Sequence, residues 1–483
     1  MKIRGDIMLR GKNITQLREE LDSGKVTRDE LFEEARELSL KFQDDYNIYE
    51  TILDKYKSKD RDTLINGIPY ALKDNFSTSG ILTTGSSNIL KDYVPVYDAT
   101  VYKKLKNAGA VLVGKTVLDE LAMGGTGTTG HTGVVRNPWD KTRQIGGSSA
   151  GSAAAVSLGI VPFSIGSDTG DSIRKPASFC GIVGVKPTYG RISRYGIIPY
   201  ASSLDHVGYF TRSIEDACIS LQALAGRDDR DMTSSFKEVP DYLSLLNSDM
   251  NGKKIAIFGN VQDALTNPET KEMFAKLMHA LEERGAKVDV FYFSEELMKA
   301  MLPTYYLIAN CEATSNHSNL DGIRFGVREK GDSMEEIMIN SRTKGFGPLI
   351  RKRFVIGSYG LFEENQDKLF RKAQKVRRLI VNELNKCLGE YDCLIAPASN
   401  DIAPLLNDTS RDQLSDGYLI VENHMVIGNF SGYPSMTVPM GFEEGCPIGV
   451  NLTCKAFDEV TMFNIGKAIE EITGYKDLTA EVK

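Results

Sequence analysis

Apolar positions recur along this chain in two periods, one helical and one strand-like, and the alternation between them predicts an α/β fold. Near the start, Thr27-Arg28-Asp29-Glu30 has the form of a capping box, and Leu31, Ala35 and Leu38 follow at helical spacing. Residues 1–60 therefore read as a polar, helical N-terminal segment. From Gly67 the pattern changes to short apolar runs broken by glycine. Ile68 to Leu72 reads as a strand that delivers Lys73 to its end, where open sheets commonly hold functional groups. Val101 to Asn107 predicts a short amphipathic helix closed by Gly109, and Ala110 to Val113 predicts the next strand. A small-residue helix is expected through Ala153 to Val156, a buried strand over Val161 to Ile165 and another over Cys180 to Val185. Lys254 to Phe258, a helix over 269–284 and Val288 to Phe293 form a β-α-β unit. Residues 363–388 predict one long helix with Leu369, Phe370, Ala373, Val376, Ile380 and Leu384 on a single face. Cys393 to Ala396 and Ser435 to Pro439 read as two further buried strands, and the unpatterned stretch 226–250 as a surface excursion. With no repeat and no clear linker, residues 61–483 read as one continuous α/β domain.

Composition narrows the class. The 483 residues are 41% hydrophobic and 25% charged, with no apolar run long enough to suggest a membrane span. The first residues lack the apolar core of a signal peptide, so a cytoplasmic location is expected. Seven cysteines, scattered and without a C-x-x-C pair, argue against a disulfide framework and against a zinc site, and no metal is expected. A net charge of −7 disfavours a large nucleic-acid face on this chain.

The candidate chemistry lies in residues 146–172, GGSSAGSAAAVSLGIVPFSIGSDTGDS. Ser148 occupies a glycine loop leading into a helix, where backbone N–H groups converge, and Ser172 lies in a second loop just past an apolar strand. The literal GxGxxG at 125–130 lacks a strand before it and a helix after it, so it does not read as a dinucleotide site. The G-x-S-x-G match centred on Ser149 follows the polar Lys141-Thr142-Arg143-Gln144 instead of a buried strand, and none of the five histidines has a triad context. A lysine made neutral by burial is the remaining base for a serine nucleophile.

Lys73 in GIPYALKDN, Ser148 in GGSSAGSAAA and Ser172 in GSDTGDSIRKPASFCG resemble the signature of the amidase signature family. From about residue 60 onward the chain is further similar to the A subunits of glutamyl-tRNA(Gln)/aspartyl-tRNA(Asn) amidotransferases, through YYLIANCEATSNHSNLDGIRFG, the RKRF at 351–354, RKAQKVR at 371–377, GYPSMTVP and PIGVNLT. The resemblance implies a single large domain with a mixed central sheet covered by helices on both faces. It implies a Ser–cis-Ser–Lys triad in which Ser172 attacks the glutamine amide, Ser148 relays the proton and Lys73 is the terminal base. The peptide before Ser148 would be cis, and the N–H groups of Thr169, Gly170, Asp171 and Ser172 would form the oxyanion hole. Tyr305, Arg353 and Glu422 would hold the amino-acid end of glutamine. The amidotransferase B and C subunits would complete a heterotrimer. Ammonia would pass to the first of these, which binds Glu-tRNA(Gln) and uses ATP and Mg2+, and no cofactor would reside in this chain.

Four residues depart from the family's pattern. Asp171 stands where glycine is usual and brings an anion beside the oxyanion hole, which implies a weakened or dead glutaminase unless its side chain points away. Ala150 replaces a glycine, Lys175 a glutamine, and Glu422 an aspartate one methylene shorter. Two other functions therefore stay open at this point: a free-standing small-amide amidase, and a scaffold subunit that has lost hydrolysis through Asp171.

Overall fold

Alternate residues of the buried strands separate into two apolar cores. The computed structural model describes residues 9–408 and 415–481, and within them eleven strands form one sheet. They are β1 (Tyr49–Ile52), β2 (Pro69–Lys73), β3 (Val111–Thr116), β4 (Phe163–Asp168), β5 (Val183–Lys186), β6 (His206–Thr211), β7 (Lys254–Phe258), β8 (Lys287–Phe291), β9 (Cys393–Pro397), β10 (Ser435–Glu443) and β11 (Cys446–Cys454). Their spatial order is β1-β3-β2-β4-β6-β5-β10-β11-β9-β7-β8. In β7 and β9, Ile255, Ile257, Cys393 and Ile395 enter one core, and Ala256, Phe258, Leu394 and Ala396 enter the other. That is the period-two signature of a sheet covered on both faces. The sheet is mixed: β3, β2 and β4 run parallel, as do β9, β7 and β8, and the remaining pairs are antiparallel.

Three sequence expectations change. Tyr49–Ile52, inside the stretch read as helical, is an edge strand paired antiparallel to β3. The preceding helix ends where Asn47 takes a left-handed conformation, φ 53°, which frees Ile48 and Tyr49 to enter the core. Cys180 closes a helix, Arg174–Cys180, and the strand begins only at Val183, because Gly181 at φ 64° terminates that helix. The long helix predicted over 363–388 is broken into Glu363–Gln366 and Phe370–Glu390. No residue of the first piece is buried, so no packing holds it in line with the apolar face of the second.

All seven cysteines are buried, and none forms a disulfide. No helix among the described residues is long and apolar enough to cross a membrane.

Candidate active site

Strands β2 and β4 are neighbours and run parallel, with Leu72 opposite Ile165, so their C-terminal ends open on the same edge of the sheet. Lys73 is the last residue of β2, and Asp168, the last of β4, leads into Thr169-Gly170-Asp171-Ser172. The helix Ala150–Ser157 lies just before β4 in the chain, and the peptide Gly147–Ser148 in front of it is cis. Its residues are all buried, which explains the run of alanine, glycine and serine: only small side chains let the helix lie this close to the sheet. Lys73 is fully buried. Its Nζ contacts Ser148 Oγ at 2.8 Å, Ser149 Oγ at 2.9 Å and Ser167 Oγ at 2.9 Å. Burial pulls the ammonium down to about 7, against the attraction of Asp119, Asp168 and Asp205. At neutral pH a substantial share of this lysine is therefore the free amine, able to accept a proton. The backbone carbonyl of Ser172 accepts from Ser149 N–H at 3.3 Å, which seats the second loop against the first.

The second loop is held from beneath. Arg174 donates from Nε and Nη2 to the two oxygens of Asp168, at 3.1 and 2.9 Å, and from Nη2 to the Gly170 carbonyl at 2.7 Å. Asn429 Nδ2 and the Ile173 N–H complete the shell of Asp168. Burial opposes ionisation of Asp168, but Arg174 overrides it and holds the carboxyl well below the usual carboxylate range. Thr169 Oγ1 donates to Asp205 at 2.7 Å. With its other groups so occupied, the loop leaves the backbone N–H groups of Gly170, Asp171 and Ser172 without an acceptor among the described residues. Three adjacent unpaired donors beside a serine are suited to an oxyanion.

The GxGxxG stretch serves a carboxylate of the protein itself. Asp119 Oδ2 accepts from the N–H groups of Thr126 and Gly127, and Oδ1 from those of Thr128 and Thr129 and from the Thr129 hydroxyl, all at 2.8–3.1 Å. Ser149, the centre of the G-x-S-x-G match, donates its hydroxyl to Ser167 O at 2.9 Å and is engaged by Lys73.

Tyr305, on the helix Glu295–Asn316, lies over Gly170 so closely that a Cβ there would meet its ring at 2.9 Å. Arg353, on the helix Pro348–Leu361, donates from Nη1 to Tyr200 Oη at 2.7 Å, and its buried Nε has no partner among the described residues. Glu422 accepts from Lys175 Nζ at 3.0 Å and from Asn400 N–H at 3.1 Å. Asp171 is half-buried and outside the positive-φ region, so position 171 does not require glycine. Burial pushes its carboxyl up to about 7, with Lys175 opposing the shift. Of the nine residues singled out by sequence, Lys73 and Ser148 touch directly and Tyr305 lies over Gly170 in the loop Thr169 to Ser172. Glu422 bonds Lys175, Arg353 bonds Tyr200, and no hydrogen bond joins Ser148 Oγ to Ser172 Oγ among the described residues.

The amidase family profile matches residues 38–463. This chain belongs to the amidase family. The A subunit of glutamyl-tRNA(Gln) amidotransferase from Persephonella marina is 42% identical to it over 416 residues, 86% of this chain and 84% of the relative. That of a Sulfurihydrogenibium species is 38% identical over 484 residues, 98% and 99% of the two chains. The crystal structure of the corresponding A subunit from Thermotoga maritima superimposes with a TM-score of 0.82 at 36% identity, over 100% of both chains.

Sequence reasoning missed several parts of this amidase site. Ser167 and Ser149 as partners of Lys73, Asp119 as the anchor of the first loop and the Asp168–Arg174 pair all emerge only from the fold. One signal was available for the last: Asp168 and Arg174 flank the serine loop at a separation a short turn can close.

Proposed function

We propose that this amidase is the glutaminase (A) subunit of a tRNA-dependent amidotransferase. It hydrolyses glutamine to glutamate and ammonia, and the ammonia serves to convert Glu-tRNA(Gln) to Gln-tRNA(Gln). The observation that carries this reading is likeness along 98–99% of both chains to a protein named as that subunit, in a chain that keeps a buried Lys73–Ser148 pair beside the Ser172 loop.

In the proposed reaction Ser172 Oγ attacks the side-chain amide carbon. Its proton passes to Ser148 Oγ as the Ser148 proton moves to neutral Lys73 Nζ. The tetrahedral oxyanion is received by the N–H groups of Thr169, Gly170, Asp171 and Ser172. Return of the proton from Lys73 through Ser148 to the amide nitrogen releases ammonia and leaves a glutamyl ester on Ser172. Water, deprotonated along the same path, then frees glutamate. Tyr305, Arg353 and Glu422 surround the amino-acid end of the substrate, where Arg353 is suited to the carboxylate.

The net charge of −7 supports leaving tRNA, ATP and Mg2+ to a larger partner, the B subunit, with a small C subunit completing the heterotrimer in the cytoplasm. The test is ammonia release from glutamine by the chain assembled with both partners, given Glu-tRNA(Gln), ATP and Mg2+, beside a Ser172→Ala control. Release that depends on Ser172 and is stimulated by the tRNA supports the reading. Amidation with ammonium chloride but not with glutamine would replace it with the scaffold reading.

A further inference from the structure

An amino-acid amide brings two opposite charges to its site, and the pairing of the protein's own charges shows where each can be received. Four charged side chains bear on this: Asp171, next to Ser172 in the chain, Lys175 and its partner Glu422, and Arg353, which bonds Tyr200. Two of them are engaged with each other. Lys175 Nζ donates to Glu422 Oε2 at 3.0 Å and to the Ala398 carbonyl at 2.9 Å, and the other oxygen of Glu422 accepts from Asn400 N–H at 3.1 Å. This pair is largely buried, with side-chain exposures of 6% and 18%, so it is only weakly screened.

The other two retain capacity. Arg353 is anchored to Tyr200 through Nη1, and its Nε has no acceptor among the described residues. The Asp171 carboxylate makes no hydrogen bond among the described residues, yet it lies within electrostatic reach of Lys175, Glu422 and Tyr305. A half-buried carboxylate without a donor is costly to keep charged, and a substrate cation would remove that cost.

We propose that Asp171 is the specificity residue that receives the α-ammonium of glutamine, while Lys175 withholds Glu422 from that role and Arg353 takes the α-carboxylate. This rests on the glutaminase reading above. It turns the two departures at 171 and 175 into one exchange. The lysine neutralises the acidic position at 422, and the aspartate supplies a replacement beside the nucleophile.

The experiment compares glutamine with glutaramate, the same amide without its α-amino group, using the chain assembled with its partners. The readout is the ratio of KM for glutamine to KM for glutaramate, in which any effect on the oxyanion hole cancels. In Asp171→Asn and in Asp171→Gly the ratio is expected to rise about tenfold, as for loss of one charge-assisted contact. Adding Lys175→Gln to Asp171→Gly frees Glu422 and is expected to return the ratio toward the wild-type value, which a merely structural defect at 171 would not do. Glutamine hydrolysis by the wild type with an unchanged ratio in both Asp171 variants overturns this inference alone. A wild-type complex that releases no ammonia from glutamine overturns the glutaminase reading and this inference with it.

Discussion

Asp119 and Ser148 are joined through the backbone: the Asp119 N–H donates to the Ser148 carbonyl at 3.2 Å, while the Asp119 side chain gathers the loop 126–129 around itself. The same carboxylate closes over Gly147, where a Cβ would stand 2.0 Å from Oδ2. Glycine at 147 is therefore a requirement of space, imposed by a side chain from a distant part of the sequence.

Replacing Asp119 with Asn turns one acceptor into a donor that faces backbone N–H groups. The expected result is a loss of about 1.5–3 kcal/mol, the range for hydrogen bonds to a charged group. Gly147→Ala should also destabilise, by about 1–3 kcal/mol, as overpacking does. Urea unfolding measures both, and ammonia release should fall with either.

The buried pair Asp168–Arg174 gives a second test. Arg174→Met leaves Asp168 without its cation, and the expected cost is about 3–5 kcal/mol. The depressed folded-state pKa of Asp168 contributes stability that is present above the ordinary carboxylate range and is lost as pH falls through the folded value. The wild type should thus lose more stability on acidification than a double variant lacking both charges. Unfolding midpoints across an acid pH series decide this.

Lys73 titrates near 7 because of its burial, so kcat/KM should rise with pH through about 7 and level off above it. Lys73→Met should lower turnover by roughly 10²–10⁴-fold, the range for loss of a general base. It should also stabilise the fold. Below the folded value the wild type carries the full cost of a buried ammonium, and that cost shrinks as pH climbs toward 10.5. The stability gain of Lys73→Met should therefore be largest on the acid side of about 7 and fade in alkali, as thermal unfolding at several pH values would show.

Ser148→Ala and Ser172→Ala separate relay from nucleophile. Both should abolish most turnover, but only Ser172→Ala should eliminate the covalent glutamyl-enzyme that mass spectrometry can trap. An acyl adduct persisting in Ser172→Ala would remove Ser172 from the attacking role.

Much of the fold was legible along the chain because buried strands and amphipathic helices carry their periods locally. The run to Lys73, the alanine helix after Ser148 and the loop to Ser172 all lie where the pattern of apolar residues puts them. The breaks at 367–369 and the edge strand at 49–52 were not legible, since each depends on which neighbour a segment meets and not on its own period.

The site divides in the same way. The sequence by itself determined which residue types stand at the ends of β2 and β4, and that no histidine was placed to act as base. Tertiary structure alone decided that β2 and β4 lie side by side and parallel, which brings Lys73 within 2.8 Å of Ser148 across 75 residues of chain. It also decided which charges are already engaged, Lys175 with Glu422 and Arg174 with Asp168, while the Asp171 carboxylate makes no hydrogen bond among the described residues. The physical reason is that burial and charge pairing are properties of surroundings: how a lysine or an aspartate ionises depends on what the fold places around it.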